Sequence, residues 1–122
     1  MLNVEEIRQL CIARAGVTEG FPFDEETLVL KVGGKIFALL SLGKDFSINL
    51  KCDPERAIDL RERFNEILPG YHMNKKHWNT LVLDGNLPDS LVADLIAHSY
   101  DLVYDSLPLK ARSGISRTDH EG

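Results

Sequence analysis

The pair Gly33-Gly34 stands between two runs of β-branched and aliphatic residues, Thr27 to Val32 and Lys35 to Leu42. Consecutive glycines accept the positive φ angles of a two-residue hairpin turn, which residues carrying a Cβ seldom adopt. The arrangement therefore predicts a tight antiparallel hairpin. Gly43-Lys44-Asp45 closes the second strand, and a third, Phe46 to Cys52, extends the hairpin into a meander. In the third strand Phe46, Ile48 and Leu50 alternate with Ser47, Asn49 and Lys51, so one face is built for a core. In the second, Ile36, Ala38, Leu40 and Leu42 are expected on the core face and Phe37 and Leu39 on the opposite one. An outer face that is itself apolar is expected to be partly covered or to bind something.

Helical signals flank the meander. Asn3 with Glu6 has the spacing of a capping box, and Val4, Ile7, Leu10 and Cys11 then share a face up to Gly16. Val17 to Glu26, with Gly20, Pro22 and the acidic run Asp24 to Glu26, reads as an extended lead-in and turn. Asp53-Pro54 opens a second helix whose stripe is Ala57, Leu60, Phe64 and Ile67, stopped by Pro69-Gly70. Asn79 to Leu83 reads as a strand and Asp84-Gly85 as a turn. A third helix runs from Pro88 or Asp89 to about Ser106, with Val92, Leu95, Ile96, Ser99, Leu102 and Val103 on one side. The order α-β-β-β-α-β-β-α predicts a two-layer α+β fold, a five-stranded antiparallel sheet with helices on one face and the other face open.

The chain has 122 residues, suited to one domain over residues 1–108, and residues 109–122 lack apolar periodicity and read as a disordered tail. A hydrophobic fraction of 43% and a charged fraction of 27% are ordinary for a water-soluble globular domain. No apolar run reaches the ~18 residues of a membrane span and the N-terminus is not signal-like, so a cytoplasmic location without membrane contact is expected. Cys11 and Cys52 have neither metal-ligand nor disulfide-framework spacing and read as buried thiols. The net charge of −5 disfavours general nucleic-acid affinity. Acidic residues gather at Glu5-Glu6, Glu19 to Glu26 and the last helix, which leaves room for a local positive patch around Lys75 and Lys76.

Four blocks carry a family resemblance: LKVGGKIFALL (Leu30 to Leu40), LKCDPERAIDLRE (Leu50 to Glu62), PGYHMNKKHWNTLVLDG (Pro69 to Gly85) and SYDLV (Ser99 to Val103). Together they resemble the MmcQ/YjbR family of small bacterial proteins, over nearly all of the chain up to about Leu107. The resemblance implies a two-layer α+β fold in the order above, similar to that of secretion chaperones and likened to frataxin. It also implies DNA binding, the family's double-wing description, and brings no catalytic residues with it.

The segment Pro69 to Thr80 concentrates the chemistry. His72, Lys75, Lys76, His77 and Trp78 offer two ammonium groups, imidazole donors and an indole face, a set suited to phosphate and bases. The plainer alternative is that Trp78 and Met73 pack on the sheet, His72 satisfies a backbone group and the lysines are solvated. Lys31, Lys35 and Lys51, in or beside strands, either extend the cationic patch or merely solubilise. Gly33-Gly34-Lys35 lacks the spacing and following helix of a phosphate loop. His72 and His77, with His98 and His120 distant and no Cys motif, do not make a metal set, and no metal or other cofactor is expected. Two partner classes fit a non-enzymatic domain of this kind. One is DNA at the cationic patch; the other is a protein partner or homodimer at an open face around Val29, Phe37 and Leu39. A third, enzymatic reading would require one pocket gathering His72, His77 and Lys51.

Overall fold

A computed structural model of the chain describes residues 1–70 and 73–115. The elements in order are α1 (Val4–Ile12), β1 (Val17–Gly20), β2 (Thr27–Val32), β3 (Lys35–Ser41), β4 (Ser47–Lys51), α2 (Pro54–Arg63), β5 (Ile67–Pro69), β6 (Trp78–Val82), α3 (Asp89–Ser106) and α4 (Leu109–Ser113). All strands pair antiparallel in one sheet of order β1-β2-β3-β4-β6-β5. The fold is the expected α+β type, with six strands rather than five. The extended lead-in supplies an edge strand, β1, and helix α2 stops at Arg63, so that Ile67 enters β5 instead of continuing the helical stripe. In both places pairing to an existing strand satisfies backbone groups that a local pattern left unassigned.

The signals behind each element are visible in its contacts. Asn3 Oδ1 accepts from the Glu6 amide at 2.8 Å while Glu6 Oε1 accepts from the Asn3 amide at 3.0 Å, so the capping box closes both ways. Asp53 accepts from the Arg56 amide at the start of α2, with Pro54 in the first turn. At the β2–β3 hairpin Gly33 and Gly34 take φ of 58° and 81°. A Cβ on Gly33 would also lie 2.5 Å from Leu107 Cδ1, so the hairpin tip is pressed against the end of α3.

Register defines the covered face of the sheet. One row reads Leu28, Leu40, Ile48, Leu81, Ile67 and the next Leu30, Ala38, Leu50, Asn79. Helices α1, α2 and α3 lie over these rows and contribute Ile7, Cys11, Ala57, Leu60, Val92, Leu95, Ile96, Tyr100 and Val103 to a single core. Each large aliphatic or aromatic side chain removed from water in this way contributes about 1.5–3 kcal/mol.

Phe37 departs from expectation. The β2–β3 pairing slips between Leu30 and Lys31, so that Leu30 faces Ala38 while Lys31 faces Ile36, and Phe37 is the extra residue of a bulge. It turns into the core, fully buried and edge-on to Tyr100 at 5.4 Å between ring centroids, and Ile36 takes its place on the open face. Ser99, fully buried on α3, donates its hydroxyl to the Phe37 carbonyl at 2.6 Å and accepts from the Lys51 amide at 2.8 Å. One helix side chain thus bridges β3 and β4 where their own ladder ends.

Helix α4 lies within the stretch read as a tail, and Ile115 beyond it packs against Gly16; residues 116–122 lie outside the described residues. Among the described residues no helix is long and apolar enough to cross a membrane.

Candidate binding surface

The face of the sheet away from the helices carries its own rows. The central one reads Gly20, Val29, Leu39, Asn49, Thr80, Leu68, with Thr27, Ser41, Ser47 and Val82 on one side of it. On the other side Lys31 pairs with Ile36, and Lys51 with Trp78. Val29 and Leu39 lie on this face, as their alternation predicts, but are almost covered, at 2% and 8% exposure. Phe37, assigned to the same face from sequence, is absent from it because of the bulge.

A groove of about 590 Å³ crosses this face, floored by Ile36, Leu39, Asn49 and Thr80 and walled by Phe23 on one side and Leu68 and Met73 on the other. Its lining is mixed: Asn49 and Thr80 lie in the middle, where the Thr80 hydroxyl donates to Asn49 Oδ1, and Thr27, Ser41, Ser47, Asp24 and Asp45 add polar groups toward the acidic end. Phe21, Phe23 and Leu68 are 50%, 69% and 39% exposed, an unusual grouping of large apolar side chains on the rim of one surface.

Charge is segregated along the strands. Lys31 lies near the end of β2, Lys35 starts β3, Lys51 ends β4, and Lys75, Lys76 and His77 occupy the loop entering β6, so antiparallel pairing puts all of them at one end. Asp24, Glu25 and Glu26 precede β2, Asp45 joins β3 to β4 and Asp84 follows β6, which puts these carboxylates at the other. The segregation has exceptions: Lys44 stands at the acidic end, while Asp53 and Glu55 begin α2 and Asp105 ends α3 at the basic one. Asp24 accepts from the Glu26 and Thr27 amides at 2.8 Å each, and the Glu26 amide, as the larger influence, holds its carboxyl below the usual carboxylate range.

The basic loop is held in shape from beneath. The Cys52 amide donates to the His77 carbonyl at 2.7 Å, the Trp78 amide to the Asn74 carbonyl at 2.9 Å and the Lys76 amide to Asn74 Oδ1 at 2.9 Å. From α2, Arg61 Nη1 donates to the Lys75 carbonyl at 3.2 Å and to Asn79 Oδ1 at 2.8 Å, and Asn79 Nδ2 donates onward to the Ala57 carbonyl. Lys75 and Lys76 are exposed and His77 half-buried. Trp78 is 9% exposed, with Gly70 closed over its Cβ, so its indole is packed rather than presented as a stacking platform. His72 lies outside the described residues, and so does the enzymatic grouping of His72 with His77 and Lys51.

Sequence reasoning missed Arg61, Asn49 and Thr80 as shapers of this surface, as well as the rim side chains Phe23 and Leu68. Alternation along β4 does point Asn49 outward, but nothing local signals that β6 will set Thr80 beside it. Cys11 and Cys52 are buried, and burial pushes the Cys11 thiol up to about 12 and raises that of Cys52, so neither is a ready nucleophile. Among the described residues no three His, Cys, Asp or Glu side chains gather in a way that would hold a metal ion.

Comparison with known proteins places this architecture. The YjbR family model matches residues 12–102. The chain is 33% identical over 112 residues to the uncharacterized protein YjbR of Escherichia coli K12, covering 91% of this chain and 95% of that one. It is 41% identical over 105 residues to the uncharacterized protein YbdF of Escherichia coli O157:H7, covering 84% and 85%. The crystal structure of Deinococcus radiodurans protein DR2400 superimposes with a TM-score of 0.87 at 40% identity, over 93% of this chain and 88% of that one. A Pseudomonas syringae protein superimposes with a TM-score of 0.71 at 27% identity, over 84% and 99%. Shared sequence over nearly the whole length, on a sheet of the same build, establishes that the chain belongs to the YjbR (MmcQ/YjbR) family.

Proposed function

We propose that the protein is a non-catalytic DNA-binding domain that takes the phosphate backbone at the basic end of its sheet. Lys31, Lys35 and Lys51 contribute from the strands and Lys75, Lys76 and His77 from the loop before β6. The observation that carries this reading is the segregation itself: cations far apart in sequence meet at one end, and a cluster of carboxylates lies at the other. Phosphates bound by such a set release counterions, whereas the acidic remainder of a chain of net charge −5 repels DNA and confines contact to that end. The packed indole of Trp78 favours backbone contact over base stacking. Fluorescence anisotropy on labelled duplex and single-stranded DNA tests this. Binding at ~50 mM salt that weakens steeply as salt rises is expected, with a shallower salt slope, by about one unit, for each effective phosphate-contacting lysine neutralised. No binding at ~50 mM salt, where electrostatic association is strong, would sink it.

A second reading, a protein-interaction module using the open face, is favoured by a different observation, the groove of about 590 Å³ with Phe23 and Leu68 exposed on its rim. Apolar side chains grouped in this way suit a protein surface better than a phosphate backbone.

A further inference from the structure

We infer that the occupant of the groove is a second copy of this chain, packed sheet to sheet across a two-fold axis. This rests on the protein-interaction reading and names its partner. Two identical open faces can meet across an axis in the plane between them in two simple ways. An axis parallel to the strands lays basic end over basic end and acidic over acidic. An axis perpendicular to the strands reverses the strand direction and lays Lys31 and Lys51 of each copy toward the Asp24 and Asp45 ends of the other, while preserving each strand's position across the sheet.

Charge therefore selects the second arrangement. Lys51 ends β4 and Asp45 precedes it, so with β4 opposite β4 these two residues approach twice, once on each side of the axis; Lys31 near the end of β2 and Asp24 before its start form the corresponding second pair. Aligned sheets pack about 30° apart, which the natural twist of each sheet provides. Ile36 and Leu39 on the floor and the exposed Phe23 and Leu68 supply the apolar contact that a charge pattern alone does not. Lys35, Lys75 and Lys76, at the extremity of the sheet, stay on the rim of such a dimer, outside its central contact.

Sedimentation equilibrium of the full chain over a range of concentrations tests the proposal. A monomer–dimer equilibrium that weakens with added salt is expected. Lys51→Glu and Asp45→Lys should each raise the dissociation constant roughly tenfold or more, because a reversal acts twice per dimer, and the double variant should recover most of the loss. Phe23→Ser, which touches no charge, should also weaken the dimer while leaving the fold intact by circular dichroism. A strictly monomeric wild type, or a double variant no better than the singles, overturns the second copy as occupant. A monomer whose groove side chains are covered on adding a different protein would overturn it too, while upholding the interaction reading on which it rests.

Discussion

The two faces of the sheet have the same strands and the same alternation, yet they are finished differently. On the helix side every row ends in a packed neighbour: Phe37 against Tyr100, Ser99 spliced between β3 and β4, Asn79 bonded beneath α2. On the other side Val29 and Leu39 are nearly covered, but Phe23 and Leu68 are left on the rim of a groove, and Lys31, Lys35, Lys51, Lys75 and Lys76 are drawn to one end. The first face spends its side chains on stability; the second keeps apolar and charged groups where they add little to folding. That difference is what supports placing the proposed binding surface on the open face.

The sharpest way to break the contrast is by truncation on each side. Phe37→Ala should cost about 3–5 kcal/mol in urea unfolding, whereas Leu39→Ala, two residues along the same strand but on the groove side, should cost nearer 2. Equal losses would mean that the bulge does not separate the two side chains. Ser99→Ala comes next at about 1–3 kcal/mol, because it leaves both the Lys51 amide and the Phe37 carbonyl without that hydroxyl. Hydrogen exchange at Lys51 should accelerate in that variant.

A smaller effect is expected from pH. Burial, with Arg56 second, holds the His98 imidazole below its ordinary value of 6.5, in keeping with Nε2 accepting from the Asp53 amide at 3.1 Å. The unfolded chain then takes up a proton more readily than the folded one, so this contribution is complete well above pH 6.5 and is lost as pH falls from there toward the folded value. Replacing His98 with Gln should flatten the dependence of the melting temperature on pH over that window. Smallest of all, Phe23→Ser should alter stability by no more than about 0.5 kcal/mol, since a side chain 69% exposed has little to lose. A large loss there would show that the rim belongs to the core and would erase the distinction between the faces.

How much of this was legible in the sequence depended on whether the deciding contact was local. The Gly33-Gly34 hairpin, the Asn3–Glu6 capping box and the Asp53-Pro54 helix start each need only neighbours, and each was read correctly. The bulge was not, because Ile36 to Leu40 is apolar throughout and fits either register; packing of Ser99 and Tyr100 from a distant helix supports the one observed. The five lysines and His77 are divided between strands and loop in the sequence, and only antiparallel register brings them to one end. For Trp78 the sequence leaves both an outward and a packed indole open, and the close approach of Gly70 to its Cβ goes with the packed one. Arg61 carried no signal at all, because its partners Lys75 and Asn79 lie 14 and 18 residues away.

Leu107, seated where Gly33 would otherwise have a Cβ, ties the turn of the β2–β3 hairpin to the far end of α3. A turn seated in that way packs against the helix layer instead of projecting from the sheet as a free finger. In the DNA-binding reading, the lysine-bearing margin would then be offered as an edge packed on the helix layer and not as a projecting loop.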